Sequence, residues 1–110
     1  MKIEKTEIAT IFKIDKNSIA DFYSDFSKKY VNFKEENIII DFSLSKEADI
    51  ENILLFLPQS KQHRNNGMSF VMVVDGIDAD DVTDKLIAVP TLIEALDIVE
   101  MENIERDLGF

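Results

Sequence analysis

The centre of the chain reads Asn37-Ile38-Ile39-Ile40-Asp41-Phe42-Ser43. Three consecutive β-branched residues favour a strand, and a continuous apolar run is typical of a strand that is covered on both faces. A second run of this kind is Phe70-Val71-Met72-Val73-Val74. Strands of this type occur in sheets with helices packed on them. We therefore expect residues 37–43 to form the central strand of an α/β domain.

The segments on either side of this strand have helical periodicity. Asn17 or Ser18 can cap a first helix, and Asp49 can cap a second one that ends at Gly67. Because Pro58 removes one backbone hydrogen bond from the second helix, we expect a kink or a break at residues 54–57. The apolar positions are Ile19, Phe22, Tyr23, Phe26 and Tyr30 in the first helix and Ile50, Ile53, Leu54 and Leu57 in the second.

The two ends of the chain add strands and a last helix. Residues 2–8 and 9–14 alternate well enough for two short strands, but the turn near residues 8–10 lacks Gly, Asn and Pro, which leaves their pairing open. Residues 86–89 are predicted to form an edge strand that Pro90 ends. Thr91 then caps the last helix, with Glu94 in the capping-box position. The buried side of that helix is predicted to consist of Leu92, Ala95, Leu96, Val99, Ile104 and Leu108.

In chain order, the predicted elements are β-β-α-β-α-β-(α)-β-α, where the helix in brackets is a short one after Asp80. Strands that alternate with helices of suitable length indicate a sheet with helices packed on it. The length of 110 residues fits a single domain, which we place at residues 1–110.

The charge of the chain limits its partners. The net charge is −10, and it is uneven: residues 1–74 hold 11 acids and 10 bases, whereas residues 75–110 hold 11 acids and 2 bases. Such a field repels nucleic-acid phosphates and anionic lipids, so we expect neither a nucleic acid nor a membrane as a partner. The chain has no cysteine and no apolar run that suits a signal peptide or a membrane span. The expected location is therefore the cytoplasm.

The sequence offers little evidence for a catalytic or metal-binding site. His63, the only histidine, lies among polar residues and is interpreted as a solvated surface residue. Residues 75–81 are rich in aspartate, but Leu86 stands where a calcium loop would need its bidentate glutamate. The isolated glycines form no phosphate-binding loop, and there is no nucleophile elbow. We expect no enzyme activity, no catalytic residue, no metal and no cofactor.

Several strings resemble the STAS domain, the fold of bacterial anti-sigma-factor antagonists. Ile38-Ile39-Ile40-Asp41-Phe42-Ser43 is similar to the central strand of that family, which ends in an apolar-Asp-Leu-Ser pattern. Asp49 stands where the family has the aspartate that opens its phosphorylatable Asp-Ser-Ser-Gly turn, and the spacing from Asp49 to Gly67 is close to the family's. The resemblance implies an α/β domain with a mixed sheet of four to five strands and helices packed on it.

The last third of the chain adds to the resemblance. Residues 89–97 are similar to the family's last strand and the opening of its last helix. Residues 100–108, Glu100-Met101-Glu102-Asn103-Ile104-Glu105-Arg106-Asp107-Leu108, resemble an extension found in Bacteroidetes members, relatives of which are encoded beside ribonuclease Z. The family binds protein partners, so the resemblance implies a regulatory module whose partner is an anti-sigma factor, a kinase-like protein or another regulator.

The phosphorylatable turn itself is missing. After Asp49 the chain reads Ile50-Glu51-Asn52 where the family has Ser-Ser-Gly, so Glu51 occupies the place of the phosphoacceptor. A carboxylate has one negative charge and two acceptor oxygens, against nearly two charges and three oxygens on a phosphoryl group. Either the module binds constitutively through Asp49, Ile50, Glu51 and Asn52, or Glu51 mimics the phosphorylated state and the acidic last helix is the working surface.

Our main hypothesis is a module that docks to a protein through residues 49–52 and the acidic last helix. Two alternatives remain open. One is a small-ligand carrier or enzyme-accessory protein, in which an apolar molecule lies beside Phe22, Phe26 and Phe33. The aromatic residues Phe22, Tyr23, Phe26 and Phe33 fall at helical spacing, however, and we interpret them as core residues. The other alternative is a homodimer formed through the sheet edges or the last helix.

Overall fold

A computed structural model describes residues 1–15, 18–45, 50–75 and 86–109 of the chain. Within these residues, five strands form one sheet in the order of the sequence, the first pair antiparallel and the others parallel. This mixed sheet confirms the predicted α/β class. The strands are β1 (Lys2–Lys5), β2 (Thr10–Lys13), β3 (Ile38–Asp41), β4 (Phe70–Val73) and β5 (Ile87–Val89).

Two helices begin where the predicted caps Ser18 and Thr91 stand. The hydroxyl of Ser18 accepts a hydrogen bond from the backbone N–H of Asp21 (3.2 Å), and Thr91 accepts one from that of Glu94 (3.2 Å). Asn17, the alternative cap, and the short helix expected after Asp80 lie outside the described residues. The described helices are α1 (Ile19–Lys29), α2 (Ile50–Leu54), α3 (Leu57–Asn65) and α4 (Leu92–Asp107), and a 3-10 turn at Tyr30–Phe33 follows α1.

β1 and β2 form an antiparallel hairpin, which answers the question of their pairing. Both strands are shorter than predicted, and the connection lies at residues 6–9, earlier than expected. The hydroxyl of Thr6 accepts hydrogen bonds from the backbone N–H groups of Ile8 (3.2 Å) and Ala9 (3.0 Å) and donates to the carbonyl of Ala9 (3.1 Å). A threonine side chain thus stabilises a turn that has no glycine, asparagine or proline.

The break predicted before Pro58 is confirmed. α2 ends at Leu54 and α3 begins at Leu57, so Pro58 stands in the first turn of α3, where its missing N–H removes no helical hydrogen bond. The break places Phe56 in the core, where it is fully buried. After α3, Gly67 has a φ of +83°, a left-handed conformation that glycine adopts without strain.

The two faces of the sheet are covered by different elements. In β3, Ile38 and Ile40 point to α1, α2 and α3, whereas Ile39 points to α4. All residues of β3 and β4 are buried, as expected for strands covered on both faces. We call the face under α1, α2 and α3 the aromatic face; its buried hydrophobic residues are Phe12, Ile14, Ile19, Phe22, Phe26, Tyr30, Ile38, Ile40, Phe42, Ile53, Phe56, Phe70, Met72, Val74 and Leu86. We call the face under α4 the α4 face; its buried hydrophobic residues are Ala9, Ile11, Ile39, Val71, Val73, Ala95 and Val99.

Candidate functional site

The predicted partner-binding segment follows the carboxyl end of β3. There the backbone N–H of Ser43 donates to the carboxylate of Asp41 (2.8 Å), which turns the chain after the strand. Of the predicted residues, Asp49 lies outside the described residues, and Ile50 is the first residue of α2. Glu51 is exposed in the first turn of α2, and Asn52 is half-buried. Glu51 therefore presents its carboxylate to solvent beyond the end of β3.

The second predicted surface, the acidic last helix, is α4. Its first half is held by apolar packing, because Ala95 and Val99 are fully buried against the sheet. Beyond Val99, every residue of α4 is half-buried or exposed. The prediction that Ile104 and Leu108 belong to the buried side is wrong, since they are 53% and 66% exposed.

Polar side chains hold the second half of α4, and Asn37 is at their centre. Its amide nitrogen donates to the carbonyl of Ile8 (2.9 Å) and to Oδ1 of Asn103 (3.0 Å). Its Oδ1 accepts from the backbone N–H of Ser69 (2.9 Å) and from Nη2 of Arg106 (3.1 Å), and Arg106 also donates to the Ser69 hydroxyl (3.1 Å). Asn37 thus joins α4 to the amino ends of β2 and β4.

A second polar contact lies beside this junction. Arg64 of α3 donates through Nη1 to the carboxylate of Glu102 (3.0 Å) and through Nη2 to the carbonyl of Phe70 (3.0 Å). Both charged side chains are about three-quarters buried or more, with 25% and 20% of their surface exposed. Glu102 is therefore the acid of α4 that forms an ion pair, with Arg64.

The outer side of α4 combines apolar and acidic residues. Met101, Ile104 and Leu108 are spaced by three and four residues, which places them on one side of the helix, and they are 59%, 53% and 66% exposed. We call these three residues the outer patch. Ile93, 74% exposed, lies nearer the start of the same side. The exposed acids of α4, none of which forms an ion pair with another described residue, are Glu94, Asp97, Glu100, Glu105 and Asp107.

The two predicted surfaces lie on opposite sides of the sheet. Ile53 of α2 packs on the aromatic face, whereas Val99 of α4 packs on the α4 face. Glu51 and the outer patch therefore belong to two separate surfaces.

The prediction that His63 is a solvated surface residue is wrong. His63 is fully buried, with Nε2 2.6 Å from the carbonyl oxygen of Glu36 and Nδ1 2.8 Å from the hydroxyl of Tyr30. Because a carbonyl only accepts, Nε2 carries the proton, and Nδ1 accepts the hydrogen bond from Tyr30. Burial lowers the pKa of His63, the hydrogen bond to Glu36 opposes that change, and the charge of Arg64 adds to it.

A neutral His63 is a structural link between α3 and the segment that follows α1. A sequence signal for its burial exists: Phe56, Ser60 and His63 are spaced by four and three residues, and all three are buried. The polar neighbours of His63 obscured this periodicity. Burial also raises the pKa of Tyr30, so its hydroxyl keeps the proton that it donates to His63.

Comparisons with known proteins found no match for this chain, either among protein-family models or among curated proteins. None of the helices in the described ranges combines the length and the apolar character needed to span a bilayer. Within the same ranges, no three His, Cys, Asp or Glu side chains are grouped as metal ligands would be.

Proposed function

We propose that this chain is a non-catalytic regulatory module of the cytoplasm that acts by binding another protein, in the manner of the anti-sigma-factor antagonists that its sequence resembles. The observation that carries the proposal is the outer patch on α4. Clustered apolar side chains with a polar rim mark surfaces that bind other proteins. Because the opposite side of α4 is already packed on the sheet, the outer patch is not needed for the core.

Of the two mechanisms compatible with the sequence, the outer patch favours the one in which α4 is the working surface. In that mechanism Glu51 partly imitates a phosphorylated serine and holds residues 49–52 in a non-binding state, which leaves α4 to bind the partner. The exposure of Glu51 in the first turn of α2 is consistent with this role. Residues 49–52 are the alternative binding site for the same function.

The alternative function of an apolar-ligand carrier receives less support. Phe22 and Phe26 are fully buried, and Phe33 packs partly buried against the same cluster. The centre of the Phe12 ring lies 5.0 Å from the centre of the Phe26 ring and 5.0 Å from that of the Phe33 ring, and both contacts are edge-to-face. These rings therefore fill the space that an apolar ligand beside the first helix would occupy.

Affinity capture from the native cytosol, with quantitative mass spectrometry, tests the proposal. The baits are the wild type, Glu51→Ser, and the double variant Ile104→Ser/Leu108→Ser. The matched control is Val31→Ser/Leu44→Ser, which removes two other exposed apolar side chains, 62% and 74% exposed, that lie outside α4. We expect a partner that the wild type, Glu51→Ser and the control recover and that the α4 variant loses.

Loss of the partner with Glu51→Ser alone would move the interface to the alternative site and leave the function standing. Failure of the wild type to recover any partner would contradict a protein-binding function. Because the substituted side chains are exposed and contribute little to the core, we expect every bait to fold, and circular dichroism checks this.

A further inference from the structure

We infer that the outer patch of α4 binds a basic amphipathic helix of the partner protein. This inference rests on the proposed function and specifies the kind of segment that docks. It follows from the shape of the surface, from the sign of the charges around it and from the way in which α4 is attached to the sheet.

The shape of the surface suits a helix. α4 has 16 residues, a length of about 24 Å, and its outer apolar residues form a strip one side chain wide along the second half. A helix can lie along such a strip because side chains spaced by three and four residues on both helices interdigitate. An added strand would need unpaired backbone groups, and those of α4 are engaged within the helix.

Grooves on both sides of α4 leave room for the flanking side chains of a partner helix. One groove is lined by Arg64, Gly67, Met68, Glu102, Glu105 and Arg106. The groove on the other side is lined by residues that include Glu7 and Glu100. The second half of α4 therefore stands as an apolar ridge between two grooves. One groove holds the exposed Glu105 beside Arg64 and Arg106, whose guanidinium groups bond to Glu102, Asn37 and Ser69, and the other holds Glu7 and Glu100.

The charges call for a basic partner. Glu7, Glu100, Glu105 and Asp107 are all exposed around the outer patch. The carboxyl end of a helix adds partial negative charge. The base in the last turn of α4, Arg106, is half-buried and donates to Asn37 and Ser69, so the exposed charged side chains of α4 are all acidic. Lysines and arginines beside an apolar strip are the complement of this arrangement.

The same charges disfavour a second copy of this chain. A dimer through α4 would bring together two helices that each have five exposed acids and no exposed base. Like charges facing each other across an interface disfavour association. The β1 edge of the sheet offers little to a second copy either, because it displays the exposed charged residues Lys2 and Lys5.

Fluorescence anisotropy with labelled synthetic peptides as long as α4 tests the inference on the full chain. The first peptide has a leucine strip flanked by lysines and arginines, the second has the same strip flanked by glutamates, and the third is a scramble of the first. We expect the basic peptide to bind at least tenfold more tightly than the other two. Its affinity should fall as the salt concentration rises.

Variants then locate the binding site. Ile104→Ser/Leu108→Ser should weaken binding of the basic peptide at least tenfold, whereas the control Val31→Ser/Leu44→Ser should leave it unchanged. Glu100→Gln/Glu105→Gln should weaken it more than Asp21→Asn/Glu51→Gln, which removes the same charge from α1 and α2. Equal binding of the basic and scrambled peptides, or equal affinity of the α4 variants and their controls, would overturn the inference.

Two further results separate this inference from the proposed function. The first is a captured partner that requires the outer patch but crosslinks to it through a neutral segment or a strand. That result would overturn the inference of a basic helix and would still support the protein-binding function. Sedimentation of the free chain is the second. A dimer that Ile104→Ser/Leu108→Ser dissociates would show that a second copy occupies the patch, and a monomer supports a partner of another sequence.

Discussion

The aromatic face and the α4 face of the same sheet are built in different ways. Among the described residues, the aromatic face has fifteen buried hydrophobic residues, covered by three helices, and the α4 face has seven, covered by α4. The aromatic face is closed by ring contacts, whereas the far half of α4 is held by the polar side chains around Asn37. The difference indicates that the aromatic face provides most of the stability and that the α4 face leaves a helix side available for recognition.

The largest effect on stability should come from the aromatic face. Phe26 is fully buried, with its ring 5.0 Å from that of Phe12, 5.7 Å from that of Phe56 and 6.1 Å from that of Phe70. Phe26→Ala should lower the free energy of unfolding by about 3–5 kcal/mol, because it removes a large buried group and leaves a cavity. Urea denaturation measures this change.

Val99→Ala tests the α4 face with a smaller side chain. It removes two buried carbons and should cost about 2 kcal/mol. If Val99→Ala lost as much free energy as Phe26→Ala, although it removes the smaller side chain, the α4 face would contribute at least as much stability as the aromatic face, and the comparison between them would fail.

Local sequence patterns predicted the elements that depend on neighbouring residues. The apolar runs predicted β3 and β4, and Ser18 and Thr91 predicted the starts of α1 and α4. Pro58 predicted the break before α3. Each of these features is decided by sterics or hydrogen bonds within a few residues. The exact extent of β1 and β2 was less accessible, because the side chain of Thr6 supplies a turn that composition alone does not reveal.

The exposed side of α4 was also present in the sequence but was missed. Ile104 stands nine residues after Ala95, and Leu108 stands nine after Val99. At about 100° per residue, nine residues make about two and a half turns, so residues nine apart lie on opposite sides of a helix. Both side chains must therefore lie opposite the buried pair. Apolar character alone had assigned them to the core.

The polar junction could not be predicted from the sequence. Asn37 bonds to Asn103 and Arg106, which are 66 and 69 positions away, and no local pattern encodes contacts of that range. In the sequence, Asn37 is only the polar residue before an apolar run. The same limit applies to Glu51, whose role depends on a partner.

The second largest effect should come from this junction. Asn37→Ala leaves the carbonyl of Ile8 and the buried N–H of Ser69 without their partner, and it should cost about 2–3 kcal/mol. Hydrogen exchange should accelerate first in the second half of α4, because apolar packing still holds Ala95 and Val99.

The matched control is Asn37→Asp, which keeps the oxygen that accepts from Ser69 and Arg106 and loses the two amide donations. It should lose less stability than Asn37→Ala. Uniform acceleration of exchange along the whole of α4 in Asn37→Ala would argue that the two halves of the helix are not held separately.

The smallest effect concerns the polar group enclosed by the aromatic face. His63 packs against Tyr30 and Phe70, with ring centres 5.5 Å and 5.9 Å apart, and burial in this environment lowers its pKa below the ordinary value of 6.5. The unfolded chain therefore binds a proton at His63 more readily than the folded chain does. The free energy of unfolding should consequently fall as the pH drops through 6.5 towards the lowered pKa.

His63→Gln isolates this contribution, since the amide can donate and accept hydrogen bonds but does not titrate near neutral pH. The variant loses some packing at every pH, so the informative quantity is the slope of the unfolding free energy against pH, measured by urea denaturation between about pH 5 and 8. The slope of the wild type should be the steeper one below pH 6.5, where protonation would place a second N–H against the donating hydroxyl of Tyr30. Identical slopes would mean that His63 takes up its proton equally well in both states, and the aromatic face would then be less closed to water than its packing indicates.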